Sequence, residues 1–251
     1  MTTGGSFMQN QQPSTLKEIR VHGTQDFPCA FYQTGTRIKG NMVKHHWHEE
    51  VELLYFSGGE FCLEVNMERF NISEECFYVI NPGELHSISV EKNGGCVENA
   101  VVFHMDMLSS AYALDQIQTN LIQPVQNGSI QFPRCLRKNE PAFEPVRKSY
   151  EEIRNVFGGD SFRENYYDGE AVTDDITRQL FIKSALLRIL AVLSANNLFE
   201  VTEKNHDHRI ETIKTTLTYI QENYKEKIYI RDLAGLIGMN EQYFCRFFKK
   251  V

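Results

Sequence analysis

The chain has 251 residues, about two domains at the usual ~150 residues each, so a substantial core can form without disulfide or metal staples. Hydrophobic residues at 41% and charged residues at 24% sit at globular averages, with no low-complexity tract, which excludes a disordered or fibrous chain. The net charge of -7 excludes a general nucleic-acid coat, yet residues 206–251 carry eight Lys/Arg against six Asp/Glu, a net of +2, against -9 before them.

Residues 1–15 read as a polar, flexible tail without a basic flank and apolar run, so no secretion signal is expected. The longest apolar stretch, residues 185–193, is interrupted by Arg188 and too short to cross a bilayer. Six cysteines occur without a Cys-x-x-Cys pair, which suits reduced thiols of a cytosolic protein, mostly in core packing.

From about residue 16 to 105 the chain reads as short β segments, among them 51–56, 60–65, 76–80 and 97–104. Turn signals at Ser57-Gly58-Gly59, Asn81-Pro82-Gly83 and Asn93-Gly94-Gly95 separate them, which predicts a barrel or sandwich within residues 16–142. The period then changes to that of a helix: Phe143, Val146, Tyr150, Ile153 and Phe157 form one stripe, and a polar loop follows at 160–175. A second helix at about 176–198 places Leu180, Leu187 and Leu190 on a broad apolar face, wider than one packing surface needs. It either packs on the barrel or forms a dimer interface, so residues 143–200 are expected as a helical packing and dimerisation segment. The polar residues 199–207 mark a domain boundary. The fold class is therefore α+β: a β-barrel, a helical segment, and an all-α unit at 208–251.

The most concentrated chemistry is Lys44-His45-His46-Trp47-His48-Glu49-Glu50-Val51-Glu52. On a strand, His46, His48 and Glu52 share a face, and it points inward if Leu54 and Phe56 line the barrel. His86 approaches from a neighbouring strand after the Asn81-Pro82-Gly83 turn. Three imidazoles and one carboxylate suit iron, manganese, nickel or zinc. The same residues equally suit a metal-free pocket hydrogen-bonding a small effector, or a satisfied core cluster, so no cofactor is required.

This segment resembles the first cupin motif: Gly, five residues, His-x-His, three or four residues, Glu, six residues, Gly. Gly40, His46, His48, Glu52 and Gly59 fit it. The second motif keeps Gly83 and His86, with Pro82 one place late, Glu75 in a glycine position and Val90 in place of the closing Asn.

In the last segment Ile210, Ile213, Leu217 and Ile220 recur at helical spacing. Ala234 is small enough for a close helix approach, Gly238 suits a left-handed turn, and Asn240 is a good N-cap. Leu233, Ile237, Met239, Phe244 and Phe247 would form the apolar side of this bundle. That leaves Glu241, Gln242, Cys245, Arg246 and Lys249, with Lys250 beyond, facing outward with donors for base edges and phosphates.

Residues 219–250 are similar to the first helix-turn-helix of AraC-type transcriptional regulators, a family that also places a cupin-like barrel and helices ahead of it. The resemblance implies a sequence-specific DNA-binding regulator rather than an enzyme: cytoplasmic, homodimeric, sensing a small molecule in the barrel. It assigns the base-reading positions to Gln242, Cys245 and Arg246. The family carries a second helix-turn-helix, whereas this chain ends at Val251 as the first recognition helix finishes, so weak DNA binding is expected of it. A metal-dependent cupin enzyme, a dioxygenase or isomerase, is the alternative, and a protein-interaction module is a third.

Overall fold

The computed structural model describes residues 16–18, 20–36, 39–92, 96–112, 114–158, 167–168, 175–202 and 208–249. Eight strands come first: β1 (Cys29–Thr36), β2 (Gly40–His46), β3 (Val51–Phe56), β4 (Phe61–Val65), β5 (Glu68–Ile72), β6 (Cys76–Ile80), β7 (His86–Val90) and β8 (Cys96–Phe103). Next are α1 (Gln123–Gln126), β9 (Ile130–Gln131), β10 (Cys135–Arg137), α2 (Phe143–Val156), β11 (Tyr167–Asp168), α3 (Ile176–Ala195) and β12 (Glu200–Val201). Three helices close the chain: α4 (His208–Asn223), α5 (Ile230–Leu236) and α6 (Glu241–Phe248).

Two compact units result, one of Arg20–His206 and one of Asp207–Val251 together with Met1–Ile19. In the larger unit an antiparallel sheet of order β10-β6-β3-β8-β1-β11 faces a second of order β2-β7-β4-β5. Leu54, Phe56, Tyr78, Ile80, Ala100 and Val102 point inward to meet Phe61, Leu63, Ile88 and Val90 of the smaller sheet. The intervening residues Leu53, Phe77, Val79, Val101 and Phe103 point outward and pack under α2 and α3. Both faces of β3 and β6 are thus covered, which is why β6 reads as an unbroken apolar run and β3 as one broken only by Glu52.

Residues 143–200 share that outer core with the strands and are not set apart from them. Asp175 caps α3 by accepting from the backbone of Thr177 at 2.9 Å and Arg178 at 3.2 Å, and Arg188 meets Glu152 of α2 at 2.7 Å. The apolar residues of α3 do not share one face. Ile182, Ala185, Leu186, Ile189, Leu190 and Leu193 are buried, while Leu180 and Leu187 stand outward with Ile176 and Phe181. Leu190 lies three residues beyond Leu187, about 300° around the helix, which turns it to the core. Within the expected polar loop, Tyr167 and Asp168 pair with Gln33 and Tyr32 of β1, while the tail at 1–15 and the turn at 93–95 lie outside the described residues.

Candidate functional site

His46 ends β2 and Val51 begins β3, so His46, His48 and Glu52 are not three positions of one strand. The chain bends at residues 47–50, and the turn at 81–84 holds the bend. Gly83 adopts φ +78° there, the Glu84 N–H donates to the Asn81 carbonyl at 3.1 Å, and the Gly83 N–H donates to the His48 carbonyl at 2.7 Å. His46 lies opposite His86 in the β2–β7 register, and Glu52 enters from β3. The sequence expectation of a shared strand face is therefore corrected, while the expected convergence stands: one donor atom from each of His46, His48, Glu52 and His86 lies within 4.8 Å of all the others. Leu54 and Phe56 lie inward on the same strand as Glu52.

The three rings are oriented alike. Nδ1 of His46 donates to the Lys44 carbonyl at 2.8 Å, that of His48 to the Glu50 carbonyl at 3.2 Å, and that of His86 to the Glu84 carbonyl at 2.9 Å. A carbonyl only accepts, so each Nδ1 carries the proton and, in the neutral ring, Nε2 carries a lone pair. Two of these Nε2 atoms face one carboxylate oxygen: Glu52 Oε2 is 3.3 Å from His48 Nε2 and 3.0 Å from His86 Nε2. Lone pairs confronting a carboxylate repel, so this arrangement calls for positive charge between them, from added protons or a metal ion. Burial alone would raise the Glu52 carboxyl, but with protons on those Nε2 atoms the hydrogen bonds and charge from His48 and His86 outweigh it and hold the group well below the usual carboxylate range.

Two further polar groups in this unit gave no local sequence signal. His22, in an irregular segment, is 4% exposed, bonds the Tyr32 hydroxyl through Nδ1 at 2.8 Å and packs edge-on against His48 with ring centroids 5.2 Å apart. Glu98 of β8 lies opposite Phe56 and is 2% exposed, and its Oε1 has no hydrogen-bond partner among the described residues. Burial, reinforced by the charge of Glu52, pushes the Glu98 carboxyl well above its ordinary value, which favours its protonated form.

The smaller unit carries a helix-turn-helix. α5 ends in a Schellman turn: Gly238, at φ +66°, donates to Gly235 at 3.2 Å, and Met239 donates to Ala234 at 2.9 Å. Asn240 then caps α6, its side-chain oxygen accepting from the Tyr243 backbone at 2.8 Å. Leu233, Ala234 and Phe244 are buried, with Tyr219, Ile220, Ile228, Ile237 and Phe248 packed against them. Phe248 thus takes the packing position expected of Phe247. Phe247 instead lines an open groove of about 410 Å³ with Arg209, Tyr243 and Arg246. Gln242, Arg246 and Lys249 are exposed at positions i, i+4 and i+7 of one helical stripe, Cys245 beside them is half-buried, and Lys250 lies outside the described residues.

Residues 34–155 match the model of the AraC-like ligand binding domain. YdeC of Bacillus subtilis (strain 168), described as an uncharacterized HTH-type transcriptional regulator, is 25% identical over 244 residues, covering 94% of this chain and 75% of its own length. Among solved structures, ToxT from Vibrio cholerae O395 aligns over 90% of this chain and 75% of its own, at 8% identity and a TM-score of 0.37. A predicted oxalate decarboxylase from Thermotoga maritima aligns over 30% of this chain and 67% of its own, at 24% identity and a TM-score of 0.28. Residues 34–155 thus match the AraC-like ligand binding domain, on a chain similar along most of its length to an HTH-type transcriptional regulator.

Proposed function

We propose that this protein is a cytoplasmic transcription regulator of AraC type that binds a small-molecule effector in its barrel and DNA through α6, and that it acts as a homodimer. The observation that carries this reading is the presence, on one chain, of an AraC-like ligand binding domain and a capped helix-turn-helix whose second helix presents Gln242, Arg246 and Lys249 outward. Effector and DNA would be coupled by a shift between arrangements that the effector binds unequally. Ile176, Leu180, Phe181 and Leu187, each more than two-fifths exposed on α3, supply the surface for a second copy.

The barrel donor set fits a divalent transition metal: three imidazole nitrogens and one carboxylate converge, and each ring is fixed through its other nitrogen by a backbone carbonyl. His46, His48, Glu52 and His86 would hold the ion, which would supply a fixed positive charge for an anionic or carbonyl group of the effector. Glu98, whose burial favours the protonated form, would offer that effector a hydrogen-bond donor from the inward face of β8. A metal-dependent cupin enzyme would use the same four donors. The helix-turn-helix on the same chain favours the regulator, because catalysis in a barrel gives that unit no task.

Selection of bound duplexes from a random DNA library at low salt tests the reading. An enriched common sequence, with affinity falling as salt rises, is the expected result. Binding that is absent, or indifferent to sequence at every salt concentration, would overturn it.

A further inference from the structure

A second cluster of reactive side chains lies at the end of the barrel away from the histidines. Cys76 opens β6 and Cys135 opens β10; Cys135 pairs with Tyr78 and Arg137 pairs with Cys76, so the two cysteines are diagonal cross-strand neighbours on one face. Diagonal neighbours on one face of an antiparallel pair lie ~7–8 Å apart, close to the separation that a disulfide spans. Both line an open groove of about 130 Å³, together with Glu74, Tyr78 and Arg137. Cys76 is 6% exposed, whereas Cys135 is half-buried and meets the groove. On β3, Phe56 pairs with Cys76 and Glu52 pairs with Ile80, four residues and so ~13 Å apart, which separates the thiols from the histidine set.

The surroundings give the two sulfurs different tasks. Cys76 and the Tyr78 hydroxyl beside the Cys135 sulfur, with the positive charge of the Arg137 guanidinium, favour its thiolate. These outweigh burial and the Glu140 carboxylate, and bring the Cys135 thiol down to about 7. Cys76 is pushed up by the neighbouring Cys135 sulfur and by burial, with Glu74 acting in the same direction and Arg137 opposing. The half-buried sulfur that meets the groove is therefore the one favoured as thiolate, while its covered neighbour is favoured as thiol.

We propose that Cys76 and Cys135 form an oxidisable dithiol, in which Cys135 is the sulfur that attacks a hydroperoxide and Cys76 the sulfur that closes the product into an intramolecular disulfide, fastening β10 to β6. In the first step the Cys135 sulfur bonds to the distal peroxide oxygen and the O–O bond breaks. The departing alkoxide or hydroxide leaves as alcohol or water with the proton that the Cys135 thiol gave up, and Cys135 becomes a sulfenic acid. In the second step the Cys76 sulfur attacks the Cys135 sulfur, the S–S bond forms, and the sulfenic hydroxide departs as water with the Cys76 proton. Two thiols lose two electrons and the hydroperoxide gains them. A disulfide needs its Cα atoms within ~7 Å, and β10, three residues long and paired on one side only in its sheet, can make that adjustment.

Peptide mapping of the reduced full chain, treated with a small excess of hydrogen peroxide and then alkylated under denaturing conditions, tests this without depending on the regulator reading. The expected result is one cross-linked peptide pair joining Cys76 to Cys135, reversed by dithiothreitol, with the other cysteines still alkylatable. Cys76→Ser should leave a sulfenic acid on Cys135 that a dimedone probe captures, and Cys135→Ser should leave Cys76 unreacted. Sulfinic or sulfonic acid at Cys135 with Cys76 still alkylatable, oxidation of Cys245 ahead of Cys135, or no reaction at either cysteine would each overturn the proposal. The wild-type map decides by itself should either variant fail to fold.

Discussion

The backbone carbonyl of Glu84 accepts the Nδ1 proton of His86 at 2.9 Å, so the residue that ends the turn also aims one ring of the histidine cluster. The Glu84 carboxylate is held in place by both guanidinium nitrogens of Arg134, by the Asn81 N–H at 2.7 Å and by Asn66 Nδ2 at 3.3 Å. Arg134→Ala strips two of these bonds from a buried carboxylate. Unfolding free energy should fall by about 2 kcal/mol, less than the ~3–5 kcal/mol for a wholly buried pair because the Arg134 side chain is 26% exposed. Looser placement of His86 should also weaken metal binding by roughly 10-fold to 100-fold. Urea unfolding and a competitive zinc titration read the two effects separately, and a loss of stability with unchanged metal affinity would disconnect Glu84 from the aim of His86.

The donor set itself is tested by calorimetric titration of chelator-treated protein with zinc or nickel. One equivalent should bind, with release of any protons held between the rings and Glu52. His48→Ala removes a donor side chain that is 3% exposed and should abolish stoichiometric binding. Full binding by that variant would show that the four residues do not act as one site.

Glu98 predicts a pH dependence with a definite sign. Its folded-state pKa is raised by burial first and by Glu52 second, well above the ordinary value of 4.5 that approximates the unfolded chain. Below that value both states are protonated and Glu98 contributes no slope. As pH rises from there towards the folded pKa, the unfolded state releases its proton while the folded state keeps it, so stability falls by up to ~1.4 kcal/mol per pH unit. Glu98→Gln should remove this slope: near-wild-type stability at acid pH, and a growing advantage as pH rises to neutrality. Parallel stability curves for variant and wild type across that range would mean that Glu98 ionises normally in the fold.

Much of this architecture is legible in the sequence where burial is two-sided. β6 reads as an unbroken apolar run, and β3 as one broken only by Glu52, because helices cover one face and the opposite sheet the other. β2 gives no such signal, since its residues are largely exposed or half-buried and its pairing with β7 is interrupted by register shifts near Asn41, Val43 and His46. The β4–β5 hairpin turns through Asn66 and Met67, both at positive φ, and a methionine there announces no turn. At the site, spacing reveals which donors are present, but their meeting depends on a bend held by Gly83, thirty-five residues away from His48. His22 and Glu98 become site neighbours only through sheet pairing and packing, which no local pattern encodes. Phe247 and Phe248 differ by one position on a helix, so periodicity alone does not choose which packs.

The outward face of α3 carries the dimer prediction. Leu180 and Leu187 are 61% and 43% exposed and seven residues apart, so they lie on nearly the same line of the helix. Changing both to glutamate removes no core contact and should leave the unfolding midpoint within error, while sedimentation shifts from a dimer to a 29.1 kDa species. A wild type that sediments only as the monomer at micromolar concentration would end the dimer reading of this face.

Arg246 carries the last prediction. It stands one turn beyond Gln242 on the exposed stripe of α6, and its planar fork can bond guanine O6 and N7 together, worth ~1–3 kcal/mol of discrimination against a wrong base. Lys249, at the helix end, has a point charge suited to a phosphate. With a duplex obtained by selection, Arg246→Ala should lose affinity for the selected sequence far more than for random DNA, with little change in salt slope. Lys249→Ala should weaken both alike and lower the slope by about one, because one fewer phosphate is neutralised. The position of Arg246 beside Arg209, Tyr243 and Phe247 makes the comparison necessary, since an arginine drawn into that groove would meet the backbone rather than a base. Equal losses on selected and random DNA for Arg246→Ala would assign it to the backbone, and unchanged affinity in both variants would remove α6 from the DNA interface.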